Sequence, residues 1–181
     1  MHKYLKLLIL TVVSMAISCS TIKDDMFRPI PIHKNVDLEF QEYLSDFISI
    51  DPSKTKALNK YKITIGFYNF KNSIAGVCFY FPNNIREISV NPSTWERSSY
   101  EDRWELITHE LVHCLCNRDH TWKGGKYKEA SEEDRVPRTE ENGYFSDGCS
   151  MSIMHPRMQG AYCVGAHEAH YRSELFEGCD P

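Results

Sequence analysis

Nothing in this chain of 181 residues is long and apolar enough to span a bilayer: the longest apolar run, Leu7 to Ile17, falls short of the ~20 residues a transmembrane helix needs. A helical integral membrane protein is thereby excluded. Excess positive charge is missing as well. Against 25 acidic residues stand 21 Lys and Arg, interspersed along the chain, for a formal net charge of −4. No basic stripe is available to neutralise phosphates, which excludes nucleic acid as a partner. Internal repeats and low-complexity tracts are absent too, so neither a repeat array nor a long disordered tract is indicated. What remains has the size of one domain with its own hydrophobic core.

The beginning of the chain is organised differently from the rest. Lys3 and Lys6 precede the short apolar run, the pattern of a secretory signal peptide over residues 1–18. Its end, Ala16-Ile17-Ser18-Cys19, resembles a bacterial lipobox, and that resemblance implies a lipid on Cys19 and a place in an exported, membrane-anchored envelope protein. Residues 19–35 carry Pro29, Pro31 and a mixture of charges without apolar periodicity, as a tether does. The domain is expected over 36–181.

Of seven cysteines, Cys19 is assigned to the lipid, leaving Cys78, Cys114, Cys116, Cys149, Cys163 and Cys179. An even number in an exported domain predicts disulfides, whose connectivity cannot be deduced from spacing. Cys114 and Cys116 point to different sides of one helix, so different partners are expected for them. Cys149 is a candidate to tie its loop to that helix.

Apolar residues recur at helical spacing from Val36 to Ile48, and Asp51-Pro52 closes the segment. Alternation from Tyr61 to Asn69, then Ser73 to Phe81 and Ile85 to Val90, predicts three strands. Ser98-Ser99-Tyr100-Glu101 has the capping-box pattern and opens a second helix with Trp104, Ile107, Leu111 and Leu115 on its buried face. The fold class predicted is α+β. Thr121 to Asp147 is polar, with Gly124-Gly125 and Pro137, and reads as a long loop.

The second helix carries His109-Glu110-Leu111-Val112-His113. Residues four apart lie on one helix face, about 6 Å apart at Cβ, so both imidazoles can reach one ion at Zn–N distances of about 2.0–2.1 Å. Glu110 is too close along the chain to His109 to be a natural third corner of the same tetrahedron. Its carboxylate is instead suited to take a proton from water at the open coordination position. A catalytic zinc needs a third protein ligand, and Asp119-His120 follows the helix.

These residues resemble the metzincin clan of zinc peptidases, whose pattern is HExxHxxGxxH with a Met-turn downstream. Cys116 stands at the clan's glycine and Asp119 at its third ligand. Asn117 is the next-best residue for the left-handed turn that ends the helix, and His120 lies three beyond it as the clan's histidine lies three beyond its glycine. Ser152-Ile153-Met154-His155-Pro156 resembles the Met-turn. HELVHCLCNRDH together with SIMHP is also similar to a group of small exported bacterial metallopeptidases, which carry their third ligand at the position of His120.

The resemblance implies a small zincin with a mixed sheet, an active-site helix and a Met-turn. It implies Zn2+ on His109, His113 and His120, with Glu110 as general base and Met154 beneath the histidines. Asp119, or Glu132 or Glu133, remains open as third ligand. A peptide or protein substrate is expected on an edge strand within Ser73 to Phe81, around Ala75, Gly76 and Val77, and the protein is expected to be a monomer. The alternative is a zinc-binding lipoprotein without turnover. His155, His167 and His170 are expected to be structural or exposed. Trp95, Trp104 and Trp122 are expected to be anchors, and Tyr162 is the nearest tyrosine after the turn.

Overall fold

The computed structural model describes residue 28, residues 30–53, 59–71, 73–122, 125–126 and 138–179. The chain divides into Met1–Ile30 and the body Pro31–Pro181, and only the second is built from described elements. The expected signal peptide and Cys19 lie outside the described residues, as do Glu132 and Glu133.

The architecture is α+β. Helix α1 (Leu38–Ile50) leads to strands β1 (Lys62–Phe67), β2 (Gly76–Phe81) and β3 (Ile85–Val90). A short helix α2 (Pro92–Trp95) and the long helix α3 (Tyr100–Cys116) follow. Beyond them come a two-residue ladder of β4 (Thr121–Trp122) and β5 (Gly125–Lys126), a 3-10 turn (Glu140–Asn142) and α4 (Ala161–Glu174). Strand order is β1-β3-β2, with β3 parallel to β1 and antiparallel to β2. The mixed sheet puts β3 in the centre, where Ile88, Glu87, Ser89 and Val90 are all buried. β2 is an edge.

α3 packs on β2 and β3, and α1 and α4 pack on α3. The core between them gathers Phe40 and Phe47 of α1, Ile65, Ile88 and Val90 of the sheet, Trp104, Ile107 and Leu111 of α3, and Tyr171 of α4. Trp95 and Trp104 anchor it as expected. Their indole N–H groups donate to Glu39 at 3.0 Å and Asp46 at 2.7 Å, so neither large ring buries an unpaired donor.

The far face of the sheet explains where the body begins. Ile32 and His33 each donate a backbone N–H to Glu87 at 2.7 Å. A Cβ on Gly66 would come within 2.4 Å of the His33 ring, so the glycine makes room for it. Residues 31–35 therefore run along the sheet ahead of Val36, in the stretch whose proline and charge content reads as a tether. The pairing of that backbone with a buried carboxylate has no local signature.

Three disulfides join Cys78 to Cys114, Cys116 to Cys179 and Cys149 to Cys163. Cys114 and Cys116 do take different partners. Cys149, a candidate to tie its loop to α3, bonds Cys163 of α4 instead. Multiple disulfides fit an exported protein. Among the described residues no helix is long and apolar enough to cross a membrane.

Candidate metal centre

Both ends of α3 are fixed by local chemistry. Ser99, one residue later than the expected cap, accepts the Asp102 N–H at 3.1 Å, and Asp102 accepts the Ser99 N–H at 3.1 Å. Ser98 with Glu101 and Ser99 with Asp102 spell the same box one residue apart, and the second pair makes it. At the other end Asn117 takes the left-handed conformation (φ 53°, ψ 29°) and donates its N–H to the His113 carbonyl at 3.1 Å. This turn, as expected of Asn117, carries the chain back over the helix.

The structure brings His109, His113 and His120 together, with one ligand atom of each within 4.8 Å of the others. Asp119 is exposed and stands outside that group. The Nε2 atoms of His113 and His120 lie 3.0 Å and 3.1 Å from Nε2 of His109.

Their tautomers decide what this means. Nδ1 of His109 lies 2.7 Å from the Ile153 carbonyl, and Nδ1 of His113 lies 2.5 Å from the Arg118 carbonyl. A carbonyl only accepts, so each Nδ1 carries the proton and each Nε2 presents a lone pair. Two lone pairs facing each other at 3.0 Å repel unless a cation lies between them. Nitrogens at about 2.0–2.1 Å from a tetrahedral ion are spaced by about 3.3 Å, close to this arrangement. The donor set therefore fits a divalent ion that accepts imidazole nitrogen.

Electrostatics point the same way. Burial first, and then neighbouring His113, hold His109 well below the ordinary histidine value. Burial lowers His113, and burial followed by His113 lowers His120 to about 4. All three rings are neutral near neutral pH, the form that ligates.

Glu110 is buried beside them, and burial pushes its carboxyl up to about 8 against the opposing pull of the Cys78 backbone N–H. Cys78 belongs to edge strand β2. A Cβ on Gly76 would lie 3.1 Å from Glu110 Cγ and 3.3 Å from its Oε1, so this glycine clears the space for the carboxylate. Gly76→Ala is expected to displace Glu110 and, on the function proposed below, to lower peptide cleavage about tenfold or more, since small misplacements cost that much. Steady-state kinetics at unchanged metal content check it.

The segment around Met154 lies behind His109. His155 donates its N–H to the Ser152 carbonyl at 3.2 Å, closing a turn over 152–155, and Met154 is fully buried. His155 is buried as well, bonded to Tyr144 and Gln159. Glu105 of α3 accepts the N–H groups of Gln159 at 2.6 Å and Gly160 at 3.1 Å, and burial lifts its carboxyl to about 7. Tyr162 is 70% exposed and outside the cluster.

Tyr80 was not legible as a site neighbour from the sequence. Its hydroxyl donates to the His113 carbonyl. A strand residue that reaches a helix carbonyl leaves no mark in alternation.

A second grouping, Asp147, Cys149 and His167, has ligand-type atoms close together. The Cys149 sulfur is bonded to Cys163 and cannot serve as a thiolate. His167 pairs with Asp147 at 2.8 Å and stacks on Phe145, which accounts for both rings structurally.

Compared with family models, curated proteins and solved structures, the chain matches none. The chemistry of the site rests on its own residues.

Proposed function

We propose that this protein is a zinc-dependent peptidase of metzincin type, exported and lipid-anchored through Cys19. The observation that carries the reading is the convergence of three neutral imidazoles, two of them with Nδ1 committed to carbonyl oxygens, beside a buried carboxylate. His109, His113 and His120 would hold the ion. When bound, zinc supplies a Lewis acid that polarises a carbonyl and acidifies water.

Glu110 acts as the general base and then as the acid that protonates the leaving amine. A carboxyl near 8 lies close enough to neutrality for both steps, and a nearby cation favours its ionised form. Met154, buried in the turn behind His109, would form the apolar floor beneath the imidazoles. The substrate joins β2 as an added antiparallel strand along the edge that no described strand covers. The Ala75 carbonyl accepts the Asn91 N–H at 2.8 Å, so odd-numbered residues turn their polar groups toward β3 and even-numbered ones turn outward. Of Ala75, Gly76 and Val77, it is Gly76 that offers N–H and C=O to a peptide.

The test is metal analysis of protein purified without added zinc, together with cleavage of an unbiased peptide library. One zinc per chain is expected, with cleavage lost on chelation and restored by zinc. Zinc without any cleavage would instead mark a binding lipoprotein, and protein without zinc would end the reading.

A further inference from the structure

Glu174 takes no part in the chemistry proposed above, yet its carboxylate is buried at the end of α4 and turned toward the loop behind His109. Its Oε1 accepts the Ile153 N–H at 2.5 Å and the Ser152 hydroxyl at 3.1 Å. The Ile153 carbonyl in turn accepts the Nδ1 proton of His109 at 2.7 Å. Arg118 ties the second histidine to the same place. Its Nη1 donates to the backbone carbonyl of Glu174 at 2.8 Å, while its own carbonyl accepts the Nδ1 proton of His113. Both carbonyls that set the tautomers of the helix histidines thus belong to residues bonded at position 174, Ile153 to the carboxylate and Arg118 to the backbone carbonyl, which any residue there would keep.

We propose that Glu174 is a positioning residue for the metal centre, its carboxylate fixing Ile153 so that His109 keeps its tautomer and aim. This rests on the reading of the three histidines as a metal site.

The physical requirement is an acceptor. Ile153 N–H and Ser152 O–H are both donors in a buried place, and an apolar residue at 174 would leave the N–H unpaired and release the turn. An amide oxygen also has two lone pairs, so Gln at 174 can accept both donors, and the negative charge itself is dispensable. Ala removes the acceptor, and Asp keeps the charge but shortens the reach.

Tyr171 supplies the control. From the same helix its buried hydroxyl donates to the Ser150 carbonyl at 2.6 Å, supporting the same loop without touching Ile153, whose carbonyl meets His109.

The experiment measures zinc affinity of the full, disulfide-bonded chain by competition with a chromophoric chelator, and records the cobalt(II) spectrum of each variant. Glu174→Ala is expected to weaken zinc about tenfold or more and Glu174→Asp to weaken it less, with Glu174→Gln within about threefold of wild type, the scale of outer-shell partners of metal histidines. The cobalt bands should shift in the Ala and Asp variants only. Tyr171→Phe should lower the melting temperature and leave zinc affinity unchanged. Should the Ala variant fail to fold, the contrast between Asp and Gln still decides.

Wild-type affinity in Glu174→Asp, equal losses in Gln and Asp, or a loss in Tyr171→Phe as large as that in Glu174→Ala would overturn the positioning role alone. A wild-type chain that binds no zinc would overturn it together with the metal centre.

Discussion

Glu110→Gln is expected to lower peptide cleavage by about 10²–10⁴-fold, the usual contribution of a positioned general base, while zinc stays bound. Glutamine has nearly the same shape, fits beside Gly76 and accepts the Cys78 N–H, so what it removes is the ability to take a proton. The same substitution should change stability in a pH-dependent way. Burial raises the Glu110 carboxyl from an ordinary value of 4.5 to about 8, so the folded state resists ionisation. The metal-free wild type therefore loses stability as pH rises from about 4.5 to about 8, and the loss is complete above that window. The glutamine variant lacks this slope. Metal-free Glu110→Gln should melt with the wild type at the acid end and above it at the alkaline end, a difference that calorimetry at the two ends reads directly. Unchanged turnover, at full zinc content, would remove Glu110 from the mechanism.

The second large effect separates His120 from Asp119. Losing an outer-shell partner of a metal histidine typically costs 10–100-fold in affinity, so losing a ligand itself should exceed about 100-fold. His120→Ala is expected to do so. Asp119→Ala, at an exposed position outside the cluster, should stay within about threefold, because a nearby carboxylate contributes only a screened attraction for the ion. Competition with a chelator of known affinity measures both. Release of zinc by the Asp119 change alone would move the third ligand to Asp119.

Much of this centre was legible because it is written locally. The spacing of His109 and His113 is one helix turn, and Asn117 is among the few residues that tolerate the left-handed turn which returns His120 to the helix. The three strands were legible from alternation, but their order was not. β3 follows β2 in the chain and yet separates it from β1, and alternation within a strand says which residues face the core, not which strand lies alongside.

The box at the start of α3 was readable in kind and displaced by one residue. Two serines followed by two acids give equivalent patterns, and the Ser98 hydroxyl is taken by the Thr94 carbonyl at 2.8 Å, which leaves Ser99 to cap the helix. Glu105 and Glu174 could not be read at all. They act on backbone N–H groups 54 and 21 residues away, and only the folded chain brings these together. α4 also gave little sign of itself, since its buried residues Cys163, Val164 and Tyr171 are sparse among alanine, histidine and glycine.

The pairing of Cys116 with Cys179 has a consequence for how the molecule withstands a cut in its backbone. A single backbone break anywhere from Asn117 to Gly148 parts the chain into one piece bearing His109, Glu110 and His113 and another bearing Met154 and Glu174. The Cys78–Cys114 bond lies wholly within the first piece and Cys149–Cys163 wholly within the second. Cys116–Cys179 alone crosses the break. A nicked molecule therefore stays covalently one, with both walls of its cleft attached, and separates into fragments only when a reductant reaches that bond.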